Sequence, residues 1–241
     1  MQRYFISETL DLNEKYEIDN EDTHHMINVM RFRVDDAFEM IDAGKKGFLC
    51  RVTGIEGRKV TFITEQSLDS YTESPVATTI VCPLLKGEKF EWMLQKSTEL
   101  GASRFIIYEA DRSIVKLDDK KREKRMARFQ KVIREASEQS RRFSIPEIHF
   151  EGSLNNLDFA DYDTAFIAFE GYAGRKAMSF KNVGDIGHGR KVAFIFGPEG
   201  GLTEDEIDAD TSFTPLSLGP RILRAETAPL YFLAAVSSLL E

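Results

Sequence analysis

A glycine-rich pentapeptide, G-P-E-G-G at residues 197–201, joins residues typical of a strand to residues typical of a helix. The apolar run at residues 192–196 predicts a strand that is buried on both faces. Thr203 and Glu206 follow with the spacing of a capping box, which predicts the start of a helix. Ligands of open α/β sheets bind where such strands end. The pentapeptide is therefore a candidate binding loop.

The residues around this loop indicate the kind of ligand. The loop has neither the Gly-Lys-Ser/Thr ending of a P-loop nor the G-x-G-x-x-G spacing. Glu204, Asp205 and Glu206 occupy the first turn of the predicted helix and would repel a phosphate there. A loop that contacts its ligand through backbone atoms, next to acidic side chains, is better suited to a neutral or cationic nucleoside. A tight turn that needs glycine only for a positive φ is the alternative.

A second glycine-bearing loop, S-L-G-P-R-I-L-R-A-E-T-A, occupies residues 217–228. The two loops together resemble the RsmE family of SPOUT methyltransferases. The resemblance extends to residues 95–101 and 135–140 and to the N-terminal part of the chain, at His24, His25 and Arg31. It implies that the protein uses S-adenosylmethionine to methylate N3 of one uridine in small-subunit (16S) ribosomal RNA.

The resemblance also implies the fold class, α/β, with a SPOUT-type C-terminal domain that contains a trefoil knot and a small N-terminal PUA-like barrel. Residues 1–70 have the pattern of a β-rich module, and the polar stretch at 67–77 is the predicted linker. Residues 71–241 alternate strand and helix patterns, as α/β sheets do. The predicted domains are therefore 1–70 and 71–241.

Apolar periodicity predicts the individual elements. Strands are expected at 3–6, 38–41, 48–53, 60–64, 78–85, 104–108, 147–150, 164–169 and 192–196. Helices are expected from Thr23, at 88–100, through the basic segment, near Leu154, after Thr203 and at 230–240.

Methyl transfer from a sulfonium depends mainly on positioning, and glycine-lined loops allow the backbone to approach an adenosyl group closely. Strand ends and loops of this type supply the predicted cofactor-binding residues. They are Gly171, Gly197, Glu199, Gly200, Gly201, Leu216, Leu218, Gly219, Ile222 and Leu223.

The predicted catalytic residues are Arg224, Glu226 and Arg221. Because N3 of uridine must lose its proton to attack, a base or a cation that stabilises the uridine anion would help. The two arginines are candidates to stabilise charge or hold a phosphate. Glu226, like Glu199, could act as the base or orient an arginine, and capping or simple arginine pairing is the alternative for Glu226.

The formal charge of −8 argues against a nucleic-acid partner, but its distribution is uneven. Residues 112–142 contain twelve basic and five acidic side chains, a net charge of +7, which could form a phosphate footprint. A solvated helix face with internal ion pairs is the alternative. The predicted RNA-binding residues are Arg3, Arg31, Arg33, Gln139 and Arg142.

Composition and targeting signals predict a cytoplasmic protein without metal or membrane partners. Met1 is followed by no secretory leader, and the apolar stretch at 230–240 is too short to span a bilayer. Cys50 and Cys82 are expected to be buried thiols, and the four histidines form no metal pattern.

The resemblance further implies a homodimer with sites at the subunit interface. The expected partner is 16S ribosomal RNA, within the small ribosomal subunit. Two alternatives remain at this point: a SPOUT methyltransferase that acts on a ribose 2′-oxygen or on transfer RNA, and a non-catalytic rRNA-binding assembly factor.

Overall fold

The computed structural model describes residues 1–69, 72–113, 119–168, 177–180, 186–208 and 212–240, which fold into two compact units. The N-terminal unit comprises Met1–Glu73 and Ser137–Ser144, and the C-terminal unit comprises Ser74–Ala136 and Ile145–Glu241. The predicted domain limits, 1–70 and 71–241, do not include the return of Ser137–Ser144 to the N-terminal unit.

The described part of the N-terminal unit contains one five-stranded sheet. Its strands are β1 (Arg3–Phe5), β2 (Lys15–Ile18), β3 (Ala37–Ile41), β4 (Gly47–Glu56) and β5 (Lys59–Leu68). They follow the order β1-β3-β4-β5-β2, with β1 parallel to β3 and the other pairs antiparallel. The core is aromatic, because the Phe38 ring lies 6.0 Å from the Tyr4 ring and 5.4 Å from the Phe62 ring. The predicted β-rich character of this unit is confirmed.

A short helical segment separates β2 from β3. It consists of α1 (Glu21–His24) and a π-helical turn, His25–Val29. The prediction started this helix at Thr23, but Asn20 Oδ1 accepts a hydrogen bond from Asp22 N at 2.9 Å and caps an earlier start. Strand β2 was not predicted, because Ile18 is its one buried residue and no apolar alternation marks it.

Two arginines predicted to bind RNA are buried within the N-terminal unit. Arg3 forms an ion pair of 2.8 Å with Glu39 and donates to the carbonyl oxygens of Arg141 and Arg142. The Arg142 guanidinium lies 2.7 Å from Glu73. A structural role therefore replaces the predicted RNA contact for Arg3 and Arg142, because both guanidiniums are already paired and shielded from solvent.

Glu73 fixes the returning segment of the N-terminal unit. Besides pairing with Arg142, it accepts hydrogen bonds from Phe143 N at 2.7 Å and Ser144 Oγ at 3.0 Å. Burial opposes ionisation of Glu73, but the hydrogen bond and charge of Arg142, together with the hydrogen bonds from Phe143 and Ser144, outweigh it and lower the pKa of the carboxyl below 4.5. The carboxylate thus stabilises the fold fully above pH 4.5 and loses this effect as the pH falls through its folded pKa.

We expect Glu73→Gln to lower the free energy of unfolding by about 1–3 kcal/mol at pH 7. The loss should shrink toward pH 3, because the unchanged carboxyl is then protonated as well. Urea unfolding of both proteins between pH 7 and pH 3 measures the difference. Glu65→Gln is the matched control, since Glu65 pairs with Arg51 in an exposed ion pair that contributes little. A Glu73→Gln loss that does not vary with pH would contradict this account.

The C-terminal unit is an α/β structure. Its described strands are β6 (Ala77–Pro83), β7 (Arg104–Tyr108), β8 (Glu147–Gly152), β9 (Thr164–Ala168), β10 (Met178–Ser179), β11 (Lys191–Ile195) and β12 (Phe213–Ser217). Its helices are α2 (Lys89–Glu99), α3 (Asp119–Gln139, with its end in the N-terminal unit), α4 (Glu204–Ile207) and α5 (Ala228–Leu240), besides a 3-10 turn at Leu154–Asn156. The predicted strands and helices of this part are confirmed, with bounds shifted by a few residues.

The described strands of this unit form one parallel sheet in the order β10-β12-β9-β11-β6-β7-β8. Successive residues of β11 contribute to two different core clusters, Phe194 to one and Ile195 to the other. Helices α2, α3 and α5 cover the first cluster, in which Phe232 stacks on Phe194 at a ring distance of 4.3 Å. Burial on both faces explains why these strands read as continuous apolar runs.

Strands β10 and β12 were not predicted. β10 is two residues long and exposed, and β12 contains Pro215, which argues against a strand inside a sheet. In the described residues, Pro215 has a paired strand on one side, β9, since β10 pairs with Leu216 and Ser217.

Other predictions about the chain have mixed outcomes. Cys50 and Cys82 are free and buried, as predicted. None of the helices in the described residues is long and apolar enough to cross a membrane. The trefoil knot stays a prediction.

Candidate active site

A cavity of about 600 Å³ lies in the C-terminal unit, at the C-terminal ends of three neighbouring parallel strands. Ala168 ends β9, Phe196 follows β11, and Ser217 ends β12. The lining comprises Lys89, Ala168, residues 196–202, Ile207, residues 217–226 and Ala228. Its size and position are those of a small-molecule site in an open α/β sheet.

The first loop, residues 197–201, follows β11 and turns sharply into α4. Gly201 N donates to Pro198 O at 2.8 Å, and Gly201 has a φ of +74°, which favours glycine. The predicted capping box is present: Glu206 N donates to Thr203 Oγ1 at 3.2 Å, and Thr203 N donates to Glu206 Oε2 at 2.8 Å. The helix that follows therefore fixes where the loop ends.

Two side chains distant in sequence hold the first loop and its flanking residues through hydrogen bonds to their carbonyl oxygens. Arg112 Nη1 donates to the carbonyl oxygens of Gly200 and Leu202, both at 3.2 Å. Tyr108 Oη donates to Phe196 O at 2.9 Å, inside the core. These contacts engage carbonyl groups of residues that line the cavity and fix the path of the loop around it.

Gly197 is packed too closely to accept a side chain. A Cβ there would lie 2.9 Å from the backbone nitrogen of Leu202 and 3.0 Å from the carbonyl carbon of Gly201. Real Cβ atoms do not approach backbone so closely. The loop must therefore shift if Gly197 is replaced.

We expect Gly197→Ala to lower the affinity for S-adenosylmethionine, the cofactor that the sequence resemblance implies, about 10- to 100-fold. Accommodating an extra carbon in packed surroundings costs about 1–3 kcal/mol, and about 1.4 kcal/mol is tenfold in affinity. Calorimetric titration measures the change. Gly57→Ala is the control: a Cβ at Gly57 has open space, so its cost comes from the positive φ of that residue, which Gly197 does not share, and not from close packing. Equal affinities for Gly197→Ala and the unchanged protein would exclude this loop from the binding site.

The second loop leads from β12 into α5 and closes the opposite side of the cavity. Gly219 has a φ of +106°, and its N–H donates to Ser217 Oγ at 3.4 Å. Ile222 is largely exposed at the cavity, whereas Glu226 is buried near the start of α5. The loop thus presents both apolar and charged groups to the same space.

Four charged side chains meet at the cavity. Lys89 Nζ lies 3.3 Å from Glu226 Oε1 and 3.7 Å from Glu199 Oε1. Arg224 Nη1 is farther from Glu226 Oε1, at 3.9 Å. In the described part of the chain, the buried Oε2 of Glu226 has no hydrogen-bond partner. Two carboxylates at one cavity are suited to a ligand that carries positive charge.

The structure brings most of the predicted cofactor and catalytic residues to this cavity. Those in its lining are Gly197, Glu199, Gly200, Gly201, Leu218, Gly219, Arg221, Ile222, Leu223, Arg224 and Glu226. Leu216 is the exception among the described ones, because it is fully buried in the core beneath the sheet edge. Its side chain packs in the core, and its predicted cofactor contact stays a prediction. Gly171 lies outside the described residues.

Lys89 was not predicted from the sequence. The signal that could have found it is its place just after a predicted strand, at the first residue of α2, since ligands gather at strand ends. The remaining RNA predictions lie elsewhere: Arg31, Arg33 and Gln139 are exposed on the N-terminal unit. Within the described residues, no group of three or more metal-ligating side chains is present.

Comparison with known proteins assigns the chain to a family. The family described as "RNA methyltransferase domain" matches residues 72–237, and that described as "RNA methyltransferase PUA domain" matches residues 18–65. The Ribosomal RNA small subunit methyltransferase E of Bacillus subtilis is 39% identical, over 98% of this chain and 96% of the relative. The chain belongs to the ribosomal RNA small subunit methyltransferase E family. The resemblance to the RsmE family and the methyltransferase class are thereby confirmed.

Solved structures of similar proteins agree over the whole length. A Ribosomal RNA small subunit methyltransferase E from Neisseria gonorrhoeae, bound to S-adenosyl methionine, has a TM-score of 0.86 and 28% identity, over 100% of this chain and 98% of that one. A putative methyltransferase from Legionella pneumophila, in complex with bound SAM, has a TM-score of 0.86 and 27% identity, over 98% and 97%. The predicted fold class, SPOUT-type α/β with an N-terminal PUA-like domain, is confirmed.

Proposed function

We propose that this protein transfers the methyl group of S-adenosylmethionine to N3 of a uridine in 16S, small-subunit ribosomal RNA. One observation carries the proposal. Both glycine loops of an rRNA methyltransferase family member line a single cavity at the ends of three parallel strands. Two relatives with the same fold have S-adenosylmethionine bound.

The residues at the cavity fit S-adenosylmethionine. Gly197, Gly201 and Gly219 line the cavity with backbone atoms, which an adenosyl group can approach closely. Residues 218 and 222–223 add apolar surface, and a volume of about 600 Å³ is within the range of small-molecule sites. Glu199 and Glu226 offset the positive charge of a sulfonium.

When bound, S-adenosylmethionine supplies an electrophilic methyl group on a positively charged sulfur. The chain must then orient the uridine and take up its N3 proton. We propose the Glu226 carboxylate as the proton acceptor, because Glu226 lines the cavity and its Oε2 has no hydrogen-bond partner among the described residues.

Arg224 and Arg221 supply positive charge at the open side of the cavity. Both are exposed, so they can reach an RNA strand that enters from solvent. Their guanidiniums would stabilise the charge that develops on the uridine oxygens or hold a flanking phosphate. In this proposal Glu226 accepts the N3 proton, and the two arginines stabilise the uridine anion.

The RNA-binding surface is proposed to include exposed residues of the N-terminal unit, Arg31, Arg33 and Gln139. The basic helix α3 adds positive charge in an otherwise acidic chain. We further propose that the protein acts as a homodimer in the cytoplasm and methylates RNA within the small ribosomal subunit, where the particle presents a preformed surface. A knotted chain at the cofactor site is part of this proposal.

Methyl transfer to defined substrates tests the proposal. The protein is incubated with labelled S-adenosylmethionine and either small ribosomal subunits or naked 16S rRNA. The RNA is then digested to nucleosides, which are separated and identified by mass spectrometry. N3-methyluridine, formed more efficiently in subunits, is the expected product. Label in a 2′-O-methylated nucleoside or in transfer RNA would replace the proposed acceptor, and binding without any transfer would indicate an assembly factor.

A further inference from the structure

Lys89 occupies an electrostatically unfavourable place in its helix. It is the first residue of α2, and the amino end of a helix carries partial positive charge that disfavours a lysine. Lys96, in the last turn of the same helix, lies where a cation is favoured. The interactions of Lys89 outside its own helix must therefore account for its position.

Those interactions are with the two carboxylates of the cavity. Lys89 Nζ lies 3.3 Å from Glu226 Oε1 and 3.7 Å from Glu199 Oε1, so one ammonium group bridges the first and second loops. The base of this side chain is held firmly, because the next residue, Phe90, is buried in the core and packs on Phe129 at a ring distance of 4.7 Å. The backbone of Lys89, from which the bridging side chain extends, is therefore held in place.

Glu226 is the more buried partner in this bridge. Its side chain is 11% exposed, against 37% for Glu199. The ammonium group of Lys89 approaches Oε1, while the buried Oε2 has no partner among the described residues. Arg224 is a weaker alternative, since it is 3.9 Å away and its side chain is 77% exposed.

We propose that Lys89 is a positioning residue of the methyl-transfer site: its ammonium group pairs with Oε1 of Glu226 and so holds the carboxylate at the cavity, where it takes up the N3 proton of the uridine. This inference rests on the proposed function. Lys89 itself does not exchange a proton or touch the transferred methyl group; it fixes the rotamer of the carboxylate that does. An arginine at the same place should retain much of this effect, and a methionine should not.

The first test measures the pairing without enzymatic activity, as a double-mutant cycle in thermal unfolding. We expect Lys89→Met to lower Tm by about 2–4 °C, since it leaves a buried carboxylate poorly paired and about 1 kcal/mol corresponds to this shift in a protein of this size. In a Glu226→Gln background the same change should lower Tm by less than about 1 °C. Equal shifts in both backgrounds would overturn the pairing.

The second test repeats the cycle on methyl transfer, with saturating S-adenosylmethionine and small ribosomal subunits. Lys89→Met should lower kcat about 10-fold in the unchanged background and less than about 2-fold beside Glu226→Gln, because residues that act as one unit are not additive. KM for both substrates should change by less than about 3-fold. Lys89→Arg should restore at least half of kcat. Equal losses of kcat in both backgrounds would overturn the positioning role.

Lys96→Met is the matched control for both cycles. Lys96 lies on the same helix, has the same 37% side-chain exposure and forms an ion pair of 2.8 Å with Glu99. Its replacement should leave kcat unchanged, and a loss equal to that of Lys89→Met would overturn the inference. If the Tm cycle shows coupling but the unchanged protein methylates no RNA, the proposed function fails and the positioning role falls with it, whereas the ion pair stands.

Discussion

Glu226→Gln is expected to lower the rate of methyl transfer about 10²- to 10⁴-fold, the usual contribution of a positioned general base. The amide keeps the volume of the side chain but cannot accept the proton from N3. The affinity for S-adenosylmethionine should change by less than about 3-fold, since the glycine loops provide most of the contact. Transfer at saturating substrates, measured from pH 6 to pH 9, tests this. The rate of the variant should rise with pH, because hydroxide must then remove the proton.

Glu204→Gln is the control for this result. Glu204 undergoes the same chemical change in the first turn of α4, close to the first loop, but it is exposed and does not line the cavity. Its replacement should leave the rate and its pH dependence unchanged. A Glu226→Gln variant that transfers methyl groups as fast as the unchanged protein would remove Glu226 from the chemistry and leave it only its ion pairs.

Arg224→Ala is expected to lower kcat about 10²- to 10³-fold, the effect of removing one group that stabilises developing charge. The fold should be unaffected, because the side chain is 77% exposed and its contact with Glu226 is long, at 3.9 Å. Single-turnover transfer to small subunits, together with Tm, separates the two effects. An unchanged Tm with a large loss of kcat is the expected pattern.

Arg58→Ala provides a matched arginine. Arg58 is 79% exposed and makes an equally long contact of 3.8 Å, with Asp19. It lies in the N-terminal unit, so at saturating RNA its loss should not lower kcat. If Arg58→Ala and Arg224→Ala lower kcat equally, Arg224 acts as one of many surface charges and has no specific role at the cavity.

Local patterns predicted most of the fold, and their failures have identifiable causes. The buried strands of the C-terminal unit were visible as apolar runs, and the capping box at Thr203 gave the start of α4 correctly. Strand β12 was hidden by Pro215, which argues against a strand in the sequence but pairs with Ile167 of β9 in the structure. The return of Ser137–Ser144 to the N-terminal unit depends on contacts distant in sequence, such as that with Glu73.

The site was predictable to a similar degree, and the predictions of its residues failed for similar reasons. Glycine spacing and the loop sequence located both walls of the cavity, but Lys89 enters from a helix more than a hundred residues earlier in the chain. Arg3 and Arg142 looked like RNA ligands because their partners, Glu39 and Glu73, are distant in sequence. A charge is recognisable in a sequence, whereas its pairing is a property of the fold.

A crystal structure of this protein with S-adenosylmethionine would show whether the cofactor occupies the cavity. We expect it to bind between residues 197–201 and residues 217–223, against their backbone, with Glu226 and Lys89 still paired. Density for the cofactor anywhere outside this cavity, with the two loops unoccupied, would contradict it.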